Sequence, residues 1–312
     1  MQTKDFLSIS DLSSTDINLL LADAVDLKAR GWISALSERT LALIFEKPSL
    51  RTRVSFEIAM RQLGGQVLYL SPAEVGLGQR ESISDVALVL GRYVDIIAAR
   101  TFSHETLETL GRYAPIPVIN ALSDREHPCQ ALGDLLTIFE KKETLKGLTL
   151  AFIGDGNNVA NSLILACSLV GINFRIASPK GYELSERVLQ MAKLYAENSS
   201  AEITCTRDPR IAVNGAEVVY TDAWTSMGQE AETEKRLKAF AGYQVNSALM
   251  SLAHKEAIFM HCLPAHRGQE VSDEVMESQS SVVFDQAENR LYAQKAILAQ
   301  MLGGAEMLAR CR

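Results

Sequence analysis

The chain has 312 residues, 47% of them hydrophobic, and a formal net charge of -7. Such a composition belongs to an ordinary globular protein, and at roughly 100–200 residues per domain the length suggests two domains. The mild acidity and the absence of a basic run argue against a nucleic-acid partner, and no apolar stretch approaches the roughly 18 residues of a membrane span.

Met1 to Ser14 carries neither a basic segment with an apolar core nor an Arg/Ser-rich transit pattern, so the cytoplasm is the expected compartment. From there, short β-rich runs alternate with helical stretches. Strands are expected at Leu41–Phe45, Gln66–Leu70, Asp95–Ala98, Pro117–Asn120, Leu148–Ile153, Asn173–Ala177, Glu217–Tyr220 and Ala257–Met260. Helical periodicity lies around Thr52–Leu63, Ser82–Tyr93, Gln130–Lys141, Val159–Val170, Leu184–Tyr195 and Gln294–Ala309. This alternation implies α/β architecture with parallel sheets covered on both faces. A charged helix end at Glu140-Lys141-Lys142-Glu143, followed by Gly147, marks the division. The expectation is two doubly wound parallel-sheet domains of similar size, 1–145 and 146–289, with the active site in the cleft between them. The last helix, 290–312, is expected to pack back on the first domain. Five scattered cysteines (Cys129, Cys167, Cys205, Cys262, Cys311) without a CxxC pair suit a reducing compartment and no disulfide framework.

In open α/β sheets, ligands bind beyond the carboxyl ends of the strands. The polar residues of this sequence gather at those ends. After the first strand comes Glu46-Lys47-Pro48-Ser49-Leu50-Arg51-Thr52-Arg53, after the third Arg100, and after the fourth Asp124 and His127-Pro128-Cys129-Gln130. In the second half the strands run into Gly154-Asp155-Gly156-Asn157-Asn158, Thr221-Asp222 and His261-Cys262-Leu263-Pro264. Loops are polar in general, but that does not account for the concentration of arginine, histidine and hydroxyl groups in the first half. Ser49 is placed to cap a helix starting near Leu50, whose first-turn amides and dipole favour an anion, with Arg51 and Thr52 adding charge-assisted hydrogen bonds. An ordinary capped helix with surface arginines has the same composition, and composition alone does not separate the two.

Other motifs are weaker. Gly154-Asp155-Gly156 begins a dinucleotide fingerprint, but Val159 stands where a third glycine is required, so no nicotinamide cofactor is expected. His261 and His266, five apart and separated by Pro264, match no metal-binding spacing, so no metal is expected either. Cys262 has no evident base to make it a nucleophile. Trp224 and Met227, taken alone, suit core or lid packing better than ligand contact.

Taken together, these segments resemble the aspartate/ornithine carbamoyltransferase family over essentially the whole chain. Ser49-Leu50-Arg51-Thr52-Arg53 is similar to its S-T-R-T-R carbamoyl-phosphate signature, with Leu50 in place of the first threonine, and His127-Pro128-Cys129-Gln130 to its H-P-x-Q signature. Asp222-Ala223-Trp224-Thr225-Ser226-Met227-Gly228 and His261-Cys262-Leu263-Pro264 resemble the D-x-W-x-S-M-G and H-C-L-P segments of the family's ornithine branch.

The resemblance implies transfer of the carbamoyl group of carbamoyl phosphate to the δ-amine of L-ornithine, giving citrulline and phosphate. It implies no cofactor and a homotrimer or a multiple of trimers. Carbamoyl phosphate would be held by Ser49, Leu50, Arg51, Thr52, Arg100, His127, Pro128, Cys129, Gln130, Cys262, Leu263 and Arg290, with Gln79 or Arg80 reaching in from a neighbouring subunit. Arg100, His127 and Thr52 would polarise the carbonyl, Gln130 would orient the carbamoyl amide, and Cys262 would lie beside the attacking amine. Ornithine would be held by Asn158, Asp222, Ser226 and Met227, with Asp222 on the α-amino group. Two domains that each supply half a site are expected to close on their substrates, with Ser226-Met227-Gly228 as the lid.

Overall fold

The computed structural model describes residues 3–225 and 230–303. The chain forms two compact units, one from residues up to Leu136 together with those from Asn289 onward, the other Thr137–Glu288. Among the described residues, no helix is long and apolar enough to cross a membrane.

The first unit is built on a parallel sheet of β1 (Thr40–Phe45), β2 (Gln66–Leu70), β3 (Ile96–Arg100) and β4 (Val118–Leu122), in the order β2-β1-β3-β4. Leu41 to Phe45 and all of β3 are buried, as strands covered on both faces must be. The free edge of β4 is occupied near the N-terminus: Phe6 donates its amide to Val118 O at 2.8 Å, and its carbonyl accepts from Asn120 N at 2.8 Å. Such cover removes an unpaired strand edge. Glu126, buried beside His127, anchors the same segment by accepting from Ile9 N at 3.0 Å and from the Ser8 hydroxyl.

The second unit carries β5 (Thr149–Ile153), β6 (Asn173–Ala177), β7 (Ile203–Thr206), β8 (Val218–Thr221) and β9 (Ile258–His261), all parallel, in the order β7-β6-β5-β8-β9. Chain direction across the sheet reverses between β1 and β3 in the first unit and between β5 and β8 in the second. These are the switch points at which doubly wound sheets open a crevice for ligands. The register lines the crevice. Ile153 pairs with Thr221 and Thr221 with His261, so the residues one step further, Gly154, Asp222 and Cys262, emerge in a row. Thr221 ties that row together by donating its hydroxyl to Ile153 O at 2.6 Å.

Several expected elements shift. The third, fourth, seventh and eighth strands all run to a later residue than expected, so Arg100 and His261 close their strands instead of following them. The pattern underestimates the third, seventh and eighth strands because their terminal residues, Arg100, Thr221 and His261, are charged or polar and read as loop. β7 escapes prediction because its middle residues, Thr204 and Cys205, are exposed and break the apolar run. The helix Ser14–Arg30, closed at its start by a Ser13–Asp16 capping box, is also additional. The last helix spans Val283–Leu302, beginning well before the expected Gln294. Buried polar residues along it, among them Gln286, Asn289, Arg290 and Lys295, hide its apolar face.

Lys295 explains why that face is polar. Its ammonium donates to Leu27 O at 3.3 Å, to Gly31 O and to Gln62 Oε1 at 3.3 Å, joining the end of Ser14–Arg30 to the end of Leu50–Gln62. Cations are favoured at helix C-termini, but burial dominates here and pushes the amine down to about 8. Between about pH 8 and the ordinary value near 10.4, the folded chain has released a proton that the unfolded chain retains, so stability rises with pH. The melting temperature of the wild type relative to Lys295→Met is therefore expected to rise from about pH 7.5 to about pH 10. A flat difference would contradict it.

Candidate active site

The first unit concentrates cationic and neutral donors at the carboxyl ends of β1 and β3. Ser49 caps the helix Leu50–Gln62, its hydroxyl accepting from Thr52 N at 3.3 Å, which leaves the Leu50 and Arg51 amides at the open first turn. Thr52 is buried and its hydroxyl accepts from Arg290 Nη2 on the last helix. Gly133 permits that approach, because a Cβ there would lie 3.2 Å from Arg290 Cγ and 3.3 Å from Arg290 Cα.

Arg100 is 6% exposed, and neither it nor Arg51 has a carboxylate partner among the described residues. Burial, with Arg290 and Arg51 nearby, lowers its guanidinium to about 10, so it stays cationic at neutral pH. Its Nε finds no hydrogen-bond partner among the described residues. His127, also buried, is held well below the ordinary histidine value by burial and by Arg290 and Arg100, so its imidazole is neutral at pH 7. Gln130 donates its amide to Asp134 at 2.8 Å, which fixes the side chain and leaves Oε1 as a buried acceptor without a partner among the described residues.

Such a cluster suits a polyanion carrying a carbonyl and an N–H. Arginine and amide donors meet the charge at about 1.5–3 kcal/mol per charge-assisted hydrogen bond, and the Gln130 carbonyl receives the N–H. Cys129 turns its thiol away, donating to Asn120 O at 3.4 Å, and burial pushes it up to about 12, so only its main chain is available to a ligand. Gln79 and Arg80 lie on an exposed turn that Gly76 and Gly78 shape, and no hydrogen bond or ion pair joins them to the cluster within the described chain.

The second unit presents the opposite charge. Asp222, one step past β8, accepts from Ala223 N at 2.8 Å, from Asn157 Nδ2 at 2.7 Å and from the Cys262 thiol at 3.0 Å. All three partners are neutral, and no cation pairs with Asp222 among the described residues. Asn157 also caps the helix Asn158–Val170 through Oδ1, so one side chain ties the helix start to Asp222. Cys262 is fixed from behind. Its neighbour Leu263, at φ +57°, donates its amide to His261 Nδ1 at 2.9 Å, while His261 Nε2 faces the buried Glu270 at 3.1 Å.

Comparison with known proteins accords with both half-sites. The family model described as "Aspartate/ornithine carbamoyltransferase, carbamoyl-P binding domain" matches residues 4–140, and the one described as "Aspartate/ornithine carbamoyltransferase, Asp/Orn binding domain" matches residues 146–301. The chain belongs to the aspartate/ornithine carbamoyltransferase family. It is 53% identical to the ornithine carbamoyltransferase of Bacillus subtilis over 99% of this chain and 97% of that protein. It is 50% identical, at TM-score 0.93, to the solved ornithine carbamoyltransferase of Pyrococcus furiosus, covering 96% of this chain and 97% of that one. A solved acetylornithine transcarbamylase complexed with acetylcitrulline is 33% identical at TM-score 0.88, covering 96% and 100%.

Within this carbamoyltransferase, the residues that sequence singles out divide between the units. Thr52, Arg100, His127 and Arg290 are linked by hydrogen bonding or by their mutual effect on charge, with Arg51 beside Arg100. Asp222 and Cys262 are in contact, and Asn158 begins the helix that Asn157 caps. Ser226, Met227 and Gly228 lie outside the described residues. Asn157 is the contact that motif reading passes over, although an asparagine ahead of an apolar helix is a legible cap. Donor atoms of Asp222, His261 and Cys262 lie within 4.8 Å of one another, as a metal site requires. However, His261 has Nδ1 on the Leu263 amide and Nε2 on Glu270, so neither nitrogen is open to a cation.

Carbon or nitrogen NMR of labelled histidine, assigned with His127→Gln, is expected to show the His127 ring unmoved as pH falls from about 8 to about 6. A midpoint at or above the ordinary value of about 6.5 would contradict the neutral imidazole.

Proposed function

We propose that the chain is an ornithine carbamoyltransferase, taking carbamoyl phosphate and L-ornithine to L-citrulline and phosphate. The observation that carries the reading is the Asp222 carboxylate held by a thiol and two neutral N–H donors, with no cation paired to it among the described residues, in a chain whose other unit collects arginines. A free carboxylate of that kind suits the α-ammonium of an amino acid. The roughly 50% identity to several ornithine carbamoyltransferases supports the same substrate.

In this reading the first-turn amides, Ser49, Leu50 through its backbone, Arg51 and Thr52 bind the phosphate. The side chain of Leu50 is 75% exposed and contributes no hydroxyl. Arg100, His127 and Thr52 direct hydrogen bonds at the carbonyl oxygen, where negative charge grows in the transition state. Removing one such donor typically costs about 10²–10³ in rate. A neutral His127 donates one N–H without drawing off the leaving phosphate's charge. Arg290 steadies Thr52, Gln130 accepts from the carbamoyl amide, and Pro128 and the main chain of Cys129 shape the wall.

The attacking δ-nitrogen forms a bond to the carbonyl carbon, the bond from that carbon to the phosphate oxygen breaks, and the amine's proton leaves with phosphate as acceptor. An amine of ordinary pKa near 10.4 is neutral in only about one molecule in a thousand near pH 7.4. Keeping Asp222 on the α-ammonium, and Cys262 and the apolar Leu263 near the δ-nitrogen, avoids raising that pKa further. Asn158, Ser226 and Met227 complete the amino-acid end.

The same reading places the enzyme in the cytoplasm and in arginine metabolism, as a homotrimer or a multiple of trimers in which Gln79 or Arg80 of one copy serves a neighbour. Their exposure, and that of Leu50 and Val54 on the phosphate helix, is what such an assembly would bury.

A colorimetric ureido assay over ornithine, putrescine, N-acetylornithine and aspartate is expected to favour ornithine by at least about 10² in kcat/KM. Preference for N-acetylornithine or putrescine would overturn the substrate assignment. Arg51→Ala is expected to lower turnover by at least about 10². Near wild-type kcat and carbamoyl-phosphate KM would overturn the phosphate assignment.

A further inference from the structure

Arg236 lies on the helix Thr233–Ala239 and belongs to none of the family motifs read from the sequence, yet it is only 6% exposed. Its Nη1 donates to Asp155 Oδ2 at 2.6 Å and to Trp224 O at 2.8 Å, and its Nε donates to Glu232 Oε2 at 3.3 Å. The guanidinium also sits 5.0 Å from the centre of the Tyr182 ring. Asp155 is in the turn that leads to Asn157 and Asn158, and Trp224 is two residues beyond Asp222. One side chain therefore joins both loops that carry the amino-acid half-site, neither of which it follows closely in sequence.

The structure assigns Arg236, acting through its Asp155–Trp224 bridge, as the positioning residue that fixes Asp222 and the Asn157–Asn158 helix start for the amino-acid substrate. The inference rests on the ornithine reading above and deepens it.

The geometry favours positioning over plain stabilisation. A buried ion pair gains little net stability, because desolvating both charges offsets their attraction, and an apolar pair of similar volume is often as stable. What such a pair supplies is direction. The planar guanidinium presents its donors in a fixed fork, so a carboxylate and a carbonyl that share one nitrogen are held at set positions. The rest of the turn leaves little slack. Gly156 N donates to Tyr182 O at 2.8 Å, and a Cβ on Gly156 would fall 2.5 Å from Leu184 N. On the other loop, Trp224 stacks on Phe240 at 5.5 Å, one residue past the end of the Arg236 helix. Asp155 and Asp222 interact electrostatically as like charges. Arg236 compensates the first and leaves the second to the ligand.

Three variants separate the roles. Arg236→Gln is expected to raise the ornithine KM at least tenfold while the carbamoyl-phosphate KM stays within about twofold. Arg236→Lys keeps the charge but loses the fork, and is expected to recover part of the loss. The apolar double variant Asp155→Leu/Arg236→Met is expected to melt within a few degrees of wild type and still show the raised ornithine KM. An unchanged ornithine KM in the double variant, or KM values for both substrates that rise together in Arg236→Gln, would overturn the assignment.

Wild-type citrulline formation tests the ornithine reading separately. Hydrogen exchange reports on positioning whatever the amine. Amides of residues 154–158 and 221–225 are expected to exchange at least tenfold faster in the double variant, while β5 and β8 keep their protection. Unchanged exchange in those loops would overturn the assignment even if the ornithine reading stood.

Discussion

Burying Arg100 without a carboxylate partner among the described residues is the constraint on which the first unit depends. Arg100 is nearly inaccessible to solvent, has no anionic partner among the described residues and lies within the influence of Arg290 and Arg51. Such a cluster is costly in the empty protein, since each cation raises the cost of charging the next. The cost is tolerable because parallel strands fix where those side chains emerge and because Ser49 and Thr52 already have local hydrogen bonds. His127 accommodates the same field by remaining neutral. In the proposed function, a dianionic phosphate resolves the conflict on binding, and a carbonyl beside it receives the remaining donors.

The second unit solves the complementary problem with the same architecture. Pairing of Ile153 with Thr221 and of Thr221 with His261 sets Asp222 and Cys262 side by side without any local sequence link. Neutral partners hold Asp222 in place, and no cation among the described residues consumes its charge. Arg236, close to this half-site, is directed elsewhere, to Asp155. Charge is thus sorted between the half-sites, arginines around one and the Asp222 carboxylate in the other, which matches an anionic carbamoyl donor and a cationic amine acceptor.

Much of this was legible in the sequence. Uninterrupted apolar runs such as Leu41–Phe45 mark strands buried on two faces, and the placement of Ser49, Asp222 and Cys262 just past such runs marks a ligand edge. Contacts that depend on register were not legible: nothing in the spacing of Asn157, Asp222 and Cys262 says that they touch. Arg236 was hidden for a different reason. It stands in Glu230-Ala231-Glu232-Thr233-Glu234-Lys235-Arg236-Leu237-Lys238, where abundant charge reads as a solvated helix face. The early part of the last helix was obscured because its buried face is polar, with Arg290 serving the anion cluster and Lys295 two helix ends. β7 was lost because an exposed edge position needs no continuous apolar run.

The sorting of charge makes a claim that calorimetry reads directly. Isothermal titration of carbamoyl phosphate, and of ornithine onto the enzyme saturated with an unreactive phosphonate analogue, should be run on Arg100→Gln and Asp222→Asn. The account predicts a crossover: Arg100→Gln weakens carbamoyl phosphate at least tenfold, and Asp222→Asn weakens ornithine at least tenfold while leaving carbamoyl phosphate within about twofold. Ornithine affinity unchanged by Asp222→Asn, or carbamoyl-phosphate affinity unchanged by Arg100→Gln, would contradict it.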